Sequence, residues 1–325
     1  HTVTSSWGLG AAFVVGVSSW YLIKKRHQDF ALRSIKIATI FGLVSFILIA
    51  VSGDGSAYEV TQKQPMKLAA MEGLYEGKEG AGLVAVGLLN PKKEAYNDDV
   101  NPYLFKIEIP KLLSLMGYRN INAFVPGIKD VIDGGYTLPD GSTALSFQEK
   151  RERGLLAHKA LADFQQAKSE GRDTDAANFE TIIKDNYSYF GYGFLEKEED
   201  LIPNVPLTFY MFHFMVMVGG YFILFFAVVW YFHSRKKLEN FTALQYIGLW
   251  SIVLAYLASQ FGWVVAEVGR QPWTIQDVLP VQAAASGVSA GNVITTFILF
   301  AVLFTVLLIA EVTIMLKQIR KGPDF

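Results

Sequence analysis

Charged and ligating side chains inside an apolar helix are expensive, so the residues that interrupt apolar runs are the first to weigh for chemistry. Gln260, Trp263, Glu267 and Arg270 are spaced 3, 4 and 3, which puts them on one stripe of a helix, followed at once by Gln271-Pro272-Trp273. That stripe offers a carboxylate able to bind a metal or a proton, a guanidinium suited to planar anions and an aromatic ring. Pro272 should end the helix there, with Arg270 at the interface and Glu267 a turn deeper. The plainer alternative is a Glu267–Arg270 ion pair locking helices together, with Trp273 as an interfacial anchor, and spacing leaves both open. A second group is Met211, His213, Met215 and Met217. Imidazole and thioether groups can act as ligands, yet methionine is chiefly core filler. His213 and Met215 point about 200° apart on a helix, so they cannot both face one cofactor. The available partner is His1. Lys67 and Glu72 stand about 140° apart on a helix and, taken alone, read as part of a solvated surface helix. Glu311, near the inner end of the last apolar run, is weaker evidence and suits a snorkelling role.

The elements that must position these residues are long and apolar. Of 325 residues, 51% are apolar, 14% aromatic and 18% charged, with no cysteine, where a soluble domain carries about 25% charged residues. Those figures exclude a disordered chain, a disulfide scaffold, thiolate metal sites and an ordinary soluble enzyme. A formal net charge of -1 gives no basis for nucleic-acid binding. Five runs approach the roughly 20 apolar residues that a membrane span requires: Trp7 to Ile23, Ser34 to Val51, Pro206 to Phe232, Phe241 to Val268 and Gly291 to Leu316. The predicted fold is an all-α polytopic membrane protein with five transmembrane helices and a large extracytoplasmic loop domain after the second.

Charge divides the chain further. Residues 53–205 hold 17 basic and 24 acidic side chains, and the rest of the chain holds 12 and 6. The expected domains are a helix pair over 1–52, an extracytoplasmic region over 53–205 and three helices over 206–325. Lys24-Lys25-Arg26 with Arg33, Arg235-Lys236-Lys237, and Lys317, Arg320 and Lys321 mark alternate junctions of the zigzag, so these ends belong in the cytoplasm together with the C-terminus. His1, the acidic block and the stretch from Arg270 to Ala290 then lie outside. Within the block, Pro65 to Leu74 and Phe147 to Gly171 read as helices. Prolines and Gly134-Gly135 punctuate a loop-rich stretch between them, and Glu196 to Asp200 reads as a solvated acidic run. The chain opens at His1 with no initiator Met or signal peptide, which reads as a fragment. It has no tandem repeat, P-loop or GxGxxG.

Gly269-Arg-Gln-Pro-Trp273, preceded by Gly262-Trp263-Val-Val-Ala-Glu267, together with Lys67-Leu-Ala-Ala-Met-Glu72 and His1-Thr-Val, resembles the hallmark segments of subunit I of the cytochrome bd quinol oxidases. The resemblance covers essentially the whole chain, in the same order of spans, and the long polar block suits the long-loop branch of that family, where it is the quinol loop. It implies an enzyme that oxidises a membrane quinol at the outer face and passes electrons through haems to dioxygen. By resemblance, His1 and Met215 are the axial ligands of a low-spin haem b, Glu267 is the ligand of a high-spin haem b, Trp263 lies on the electron route and Arg270 neutralises a propionate. Lys67 and Glu72 match residues of quinol oxidation. A third haem, d or b, would take its ligand from outside this chain, so the chain alone is expected to be inactive towards oxygen. In better-known members an Arg stands where this chain has His213, beside the low-spin haem, and a histidine carries its charge conditionally. The implied partners are subunit II, small single-helix subunits, membrane quinol and dioxygen, with no nucleic acid, in a bacterial cytoplasmic membrane. The competing readings from composition are an ion-coupled transporter using Glu267, Arg270 and Glu311, or an anchored sensor with an outer domain.

Overall fold

Apolar runs of this length close their backbone hydrogen bonds internally, and the computed structural model, which describes residues 1–323, is mostly helical. Five helices are long and apolar enough to cross a membrane: α1 (Thr2–Ile23), α2 (Gln28–Lys63), α8 (Val205–Ser234), α9 (Thr242–Val268) and α10 (Ala290–Lys321). Each matches one of the expected spans. The polar block carries α3 (Pro65–Glu72), β1 (Lys78–Glu79), β2 (Leu83–Leu89), β3 (Tyr103–Ile109), α4 (Leu112–Tyr118), β4 (Phe124–Val125), α5 (Ile128–Asp133), α6 (Phe147–Ser169) and α7 (Asp173–Asn186). Two short strands, β5 (Trp273–Ile275) and β6 (Leu279–Pro280), follow α9.

One boundary differs from the expected ones. The change of composition at Gly53 is not a helix end, because α2 continues through Ala57, Glu59 and Gln62 to Lys63 and stops before Pro65. The loop-rich, mixed stretch between the two expected helices of the block holds regular elements. It contains a β2–β3 hairpin, a β1–β4 ladder and two short helices.

The described chain divides into two compact units. One comprises residues 2–47, 221–256 and 285 onward, and small residues let its helices approach. A Cβ on Gly16 of α1 would lie 2.5 Å from the Ile252 side chain of α9, and one on Gly248 would lie 2.6 Å from Ser19 Oγ. Phe46 stacks on Phe222 with ring centroids 4.7 Å apart, and the Tyr221 hydroxyl pairs with Ser251 Oγ at 2.8 Å. No residue of α10 is buried among the described residues.

The other unit comprises His1 and residues 48–220 and 257–284. Its core joins α3, α5 and the start of α6 to Tyr192, Leu195 and Trp273. Trp273 is therefore not the interfacial anchor considered above: the β5–β6 turn folds back, Gly191 N–H donates to the Asp277 carbonyl, and Trp273 packs on the Tyr192 ring. The start of α6 follows from local sequence. Ser146 Oγ accepts from the Glu149 N–H, and the Glu149 carboxylate accepts from the Ser146 N–H, a reciprocal cap. The Glu196 to Asp200 run is less solvated than its composition suggests, since Glu198 accepts hydrogen bonds from Tyr96 and Gln148, and Asp200 accepts from the N–H groups of Glu196 and Lys197.

In the hairpin, β3 pairs with β2 alone among the described residues, with irregularities between Val84 and Val86 and between Leu88 and Leu89. Leu104, Phe105, Ile107 and Ile109 of β3 and Val86 and Leu88 of β2 are exposed.

Close backbone approach makes α6 sensitive to a single methyl group. A Cβ on Gly154 would lie 2.5 Å from both the Gly193 nitrogen and the Tyr189 oxygen, main-chain atoms that cannot step aside as a side chain can. Gly154→Ala should therefore lower stability by about 1–3 kcal/mol, read as a lower thermal unfolding midpoint. Gly55→Ala on α2, where no atom lies within 4 Å, should show no loss. Equal midpoints for the two variants would contradict the packing described.

Candidate functional site

The candidate residues other than Glu311 fall into three neighbourhoods, all in the unit that holds the polar block. The first lies at the C-terminal end of α9. Glu267 and Arg270, three apart, form an ion pair with Arg270 Nη2 2.5 Å from Glu267 Oε2. Arg270 Nε is buried without a hydrogen-bond partner. Lys67 of α3 reaches the same place: its ammonium makes a long contact of 3.5 Å with the Ala266 carbonyl. The approach depends on Gly269, where a Cβ would come within 3.1 Å of Thr208 and 3.3 Å of the Lys67 side chain. Burial lowers the Lys67 ammonium from its ordinary range, the Arg270 charge lowers it further, and the Glu267 charge acts in the opposite sense. Trp263, one turn before Glu267 on the same stripe, is 68% exposed. Glu311, on α10, is exposed and belongs to the other unit.

The second neighbourhood surrounds Glu72, the last residue of α3. Gly73 follows in the left-handed region at φ 56° and closes the helix with its N–H on the Ala69 and Ala70 carbonyls. A side chain there is excluded on two counts, since a Cβ would also lie 2.6 Å from the Tyr103 hydroxyl oxygen. This turn carries Glu72 inward. Its carboxyl is 2% exposed, accepts a hydrogen bond from the Val84 N–H and leaves Oε2 buried without a partner. Burial therefore raises its pKa to about 8, with the Val84 N–H opposing. Glu72 lines a cavity of about 520 Å³ together with Tyr75, Tyr96, Tyr103, Asp98 and Lys106. Tyr103 donates its hydroxyl to the Glu72 carbonyl at 2.5 Å. Asp98 organises the hairpin loop by accepting from Lys93 and from the N–H groups of Glu94, Ala95 and Val100, which hold its carboxyl down at about 2.

Lys67 and Glu72 thus serve different surroundings, as their angular separation on a helix requires. Glu72 is joined instead to His213 of α8. The His213 ring stacks at 4.0 Å on Phe209; its Nδ1 lies 2.8 Å from the Phe209 carbonyl, and its Nε2 lies 2.8 Å from the Val84 carbonyl. Val84 N–H meets Glu72, and Val84 C=O meets His213.

The third neighbourhood is divided between His1 and Met215. The Ser52 hydroxyl donates to the Leu48 carbonyl at 2.7 Å, so its oxygen accepts from His1 Nδ1 at 3.1 Å. In a neutral ring that leaves the lone pair on Nε2. Gly53 lets the ring lie against α2, since a Cβ there would be 3.4 Å from it. Met215 on α8 faces Gly262 on α9, where a Cβ would be 3.0 Å from the thioether sulfur. Nothing in the sequence singled out Val84, Tyr103 or Ser52, and Gly269 entered only as part of a hallmark segment with no role of its own. Val84 acts through its backbone and Gly269 through the lack of a side chain, so neither carries a residue-type signal.

The burial of Glu72 has a testable sign. In the folded chain its carboxyl holds a proton up to about pH 8, while the unfolded chain releases it near 4.5. The folded state therefore binds more protons between these values, and its stability falls as pH rises through that window. Glu72→Gln escapes this penalty, so its thermal midpoint should gain on the parent's from pH 5 to pH 9. An infrared carboxylic-acid band absent from the variant should disappear from the parent above about pH 8. A pH-independent gain would show that Glu72 titrates as an ordinary carboxylate.

The comparisons with known proteins agree along the whole described length. The family model for cytochrome bd terminal oxidase subunit I matches residues 1–323. The chain is 31% identical to cytochrome bd-II ubiquinol oxidase subunit 1 of Escherichia coli K12 over 341 aligned positions, covering 100% of this chain and 62% of that protein. It is 28% identical to cytochrome bd ubiquinol oxidase subunit 1 of Bacillus subtilis, covering 100% of this chain and 56% of the relative. The solved bd oxidase from Geobacillus thermodenitrificans shares the fold, with a TM-score of 0.67 at 22% identity over 99% of this chain and 57% of that one. This chain, which spans about 60% of the length of the curated relatives it matches, is a member of the cytochrome bd terminal oxidase subunit I family.

Proposed function

We propose that this chain supplies the quinol-oxidising and haem-b-bearing part of a respiratory quinol:oxygen oxidoreductase. The observation that carries the reading is the Glu72 carboxyl, buried and proton-retaining at the edge of a 520 Å³ cavity, in a chain that the family model matches from end to end. Each quinol must shed two protons as its electrons leave, and a carboxyl titrating near working pH can take one and return it to water. The cavity's acidic and tyrosine lining gives that proton an exit. Lys67, on the opposite side of α3, would orient the quinol from the side of Glu267 and Arg270.

The side chains present fit haem. His1 has its Nδ1 committed to Ser52, the arrangement that presents Nε2 to a metal, and Met215 offers a thioether; this pair would hold the low-spin haem b. Glu267 would hold the high-spin haem b. Arg270, with a buried and unpartnered Nε, would bind a propionate through the guanidinium that now pairs with Glu267. Bound haem supplies one-electron acceptors and, with a third haem of d or b type, the reduction of dioxygen. The chain's own contribution is to fix the ligands, take the quinol protons at Glu72 and place Trp263 on the stripe between them. His213, grouped with the haem-binding residues by resemblance, points about 200° away from Met215 on α8 and meets the Phe209 and Val84 carbonyls instead.

The remaining assignments follow the same reading. Residues 53–205 form the outer quinol-binding region between the helix pair of 1–52 and the three helices of 206–325. The basic junctions and the C-terminus face the cytoplasm of a bacterial inner membrane, and the partners are subunit II and small single-helix subunits.

Met215→Leu in the assembled complex should abolish the low-spin signal in the reduced-minus-oxidised spectrum while leaving the other haems. Glu72→Gln should slow quinol oxidation at least tenfold with haem content intact. A normal six-coordinate spectrum in the first variant would remove Met215 from the ligand set, and an unchanged rate in the second would exclude Glu72 from proton transfer.

A further inference from the structure

The structure joins Glu72 to α8 by a short polar chain through one residue of β2. Val84 stands at a bulge in the β2–β3 ladder, and both its backbone groups are taken by side chains: the N–H by the Glu72 carboxyl, the C=O by His213 Nε2 at 2.8 Å. A carbonyl oxygen only accepts, so the ring carries hydrogen on Nε2 to make this bond. The other ring nitrogen lies 2.8 Å from the Phe209 carbonyl, which as residue i−4 already receives an N–H within the helix. His213 is buried, and Phe209, fully buried beneath it, packs on Tyr103, whose hydroxyl grips the Glu72 carbonyl. Tyr210 adds a second tie by accepting the Leu89 N–H at 3.0 Å. Three residues of one helix therefore hold the strand whose N–H is the donor given to the Glu72 carboxyl.

We propose that His213 is a positioning residue for quinol oxidation: by binding the Val84 carbonyl it fixes the Val84 N–H that orients the Glu72 carboxyl at the cavity. This rests on the reading of Glu72 as the proton acceptor in quinol oxidation. Without the clamp the bulged strand loses its anchor, the carboxyl gains rotational freedom, and the base no longer sits within reach of the quinol hydroxyl. The effect falls on turnover, since the cavity and the residues that line it remain.

The test uses the purified complex carrying His213→Leu, His213→Gln, Glu72→Gln and the His213→Leu/Glu72→Gln double variant. Oxidation of a short-chain quinol is measured per low-spin haem, with kcat and KM separated. His213→Leu should lower kcat about tenfold, the loss expected for one buried hydrogen bond to a reacting group's support, with KM and the low-spin spectrum retained. His213→Gln, whose amide can donate to the same carbonyl, should recover most of the rate. In the Glu72→Gln background the leucine substitution should cause no further loss, because the two act through one chain. Parental turnover in His213→Leu, equal loss in the Leu and Gln variants, or losses that multiply would overturn the clamp while leaving Glu72 in place. Parental turnover in Glu72→Gln would bring down the quinol reading itself, and the clamp with it. If the leucine variant fails to assemble with haem, the isosteric pair His213→Gln and His213→Met decides on the same terms, since only the first can donate.

Discussion

The Glu72 carboxyl has left water for a position where the Val84 N–H binds one oxygen and the other lies buried with no partner, and the neighbouring elements are arranged to sustain that exchange. Ionisation in such a place is unfavourable unless a charge or several donors compensate, and none is close enough to return the group to its ordinary range. Helix α3 delivers the carboxyl by ending at Gly73, a position with no room for a side chain. The hairpin supplies the N–H at Val84, beside an irregularity in the β2–β3 ladder. Helix α8 pins the hairpin through His213 and Tyr210. Remove any one of the three and the carboxyl either reaches water or loses its donor.

A different balance holds at the end of α9. Glu267 and Arg270 compensate each other directly, Lys67 adds a cation that burial makes less basic, and the cluster is only half-buried. Charge here is neutralised by pairing, while at Glu72 it is withheld by protonation. The two solutions lie on different sides of the short stretch of helix that separates Lys67 from Glu72, which lets one short element serve a charge-paired neighbourhood and a proton-handling one at once.

How much of this was readable beforehand depends on whether a feature is local. The five spans were legible because apolar length is a property of a run. The Glu267–Arg270 stripe was legible because residues three apart share a helical face. The length of α2 was not: good helix formers carry it past the point where composition turns polar. Trp273 stayed open for the same kind of reason, since a tryptophan after a span often anchors at an interface, and its burial comes from a turn that folds back onto Tyr192. The Val84 link was beyond reach, because a backbone group leaves no mark in the residue type and its two partners lie in separate segments. Family resemblance assigned Glu72 a task; only the fold shows what holds it.

The hairpin's asymmetry carries a consequence for handling the protein. The outer side of β2 is engaged by α8, while β3 exposes its other edge along Leu104, Phe105, Ile107 and Ile109, with Lys106 and Glu108 as the charges that interrupt it. An apolar strand with an open edge is a template for the addition of further strands. Cut free of its helices and made alone in water, the polar block would carry that edge into solution unshielded, and recombinant yield would be limited by self-association into β-rich aggregates.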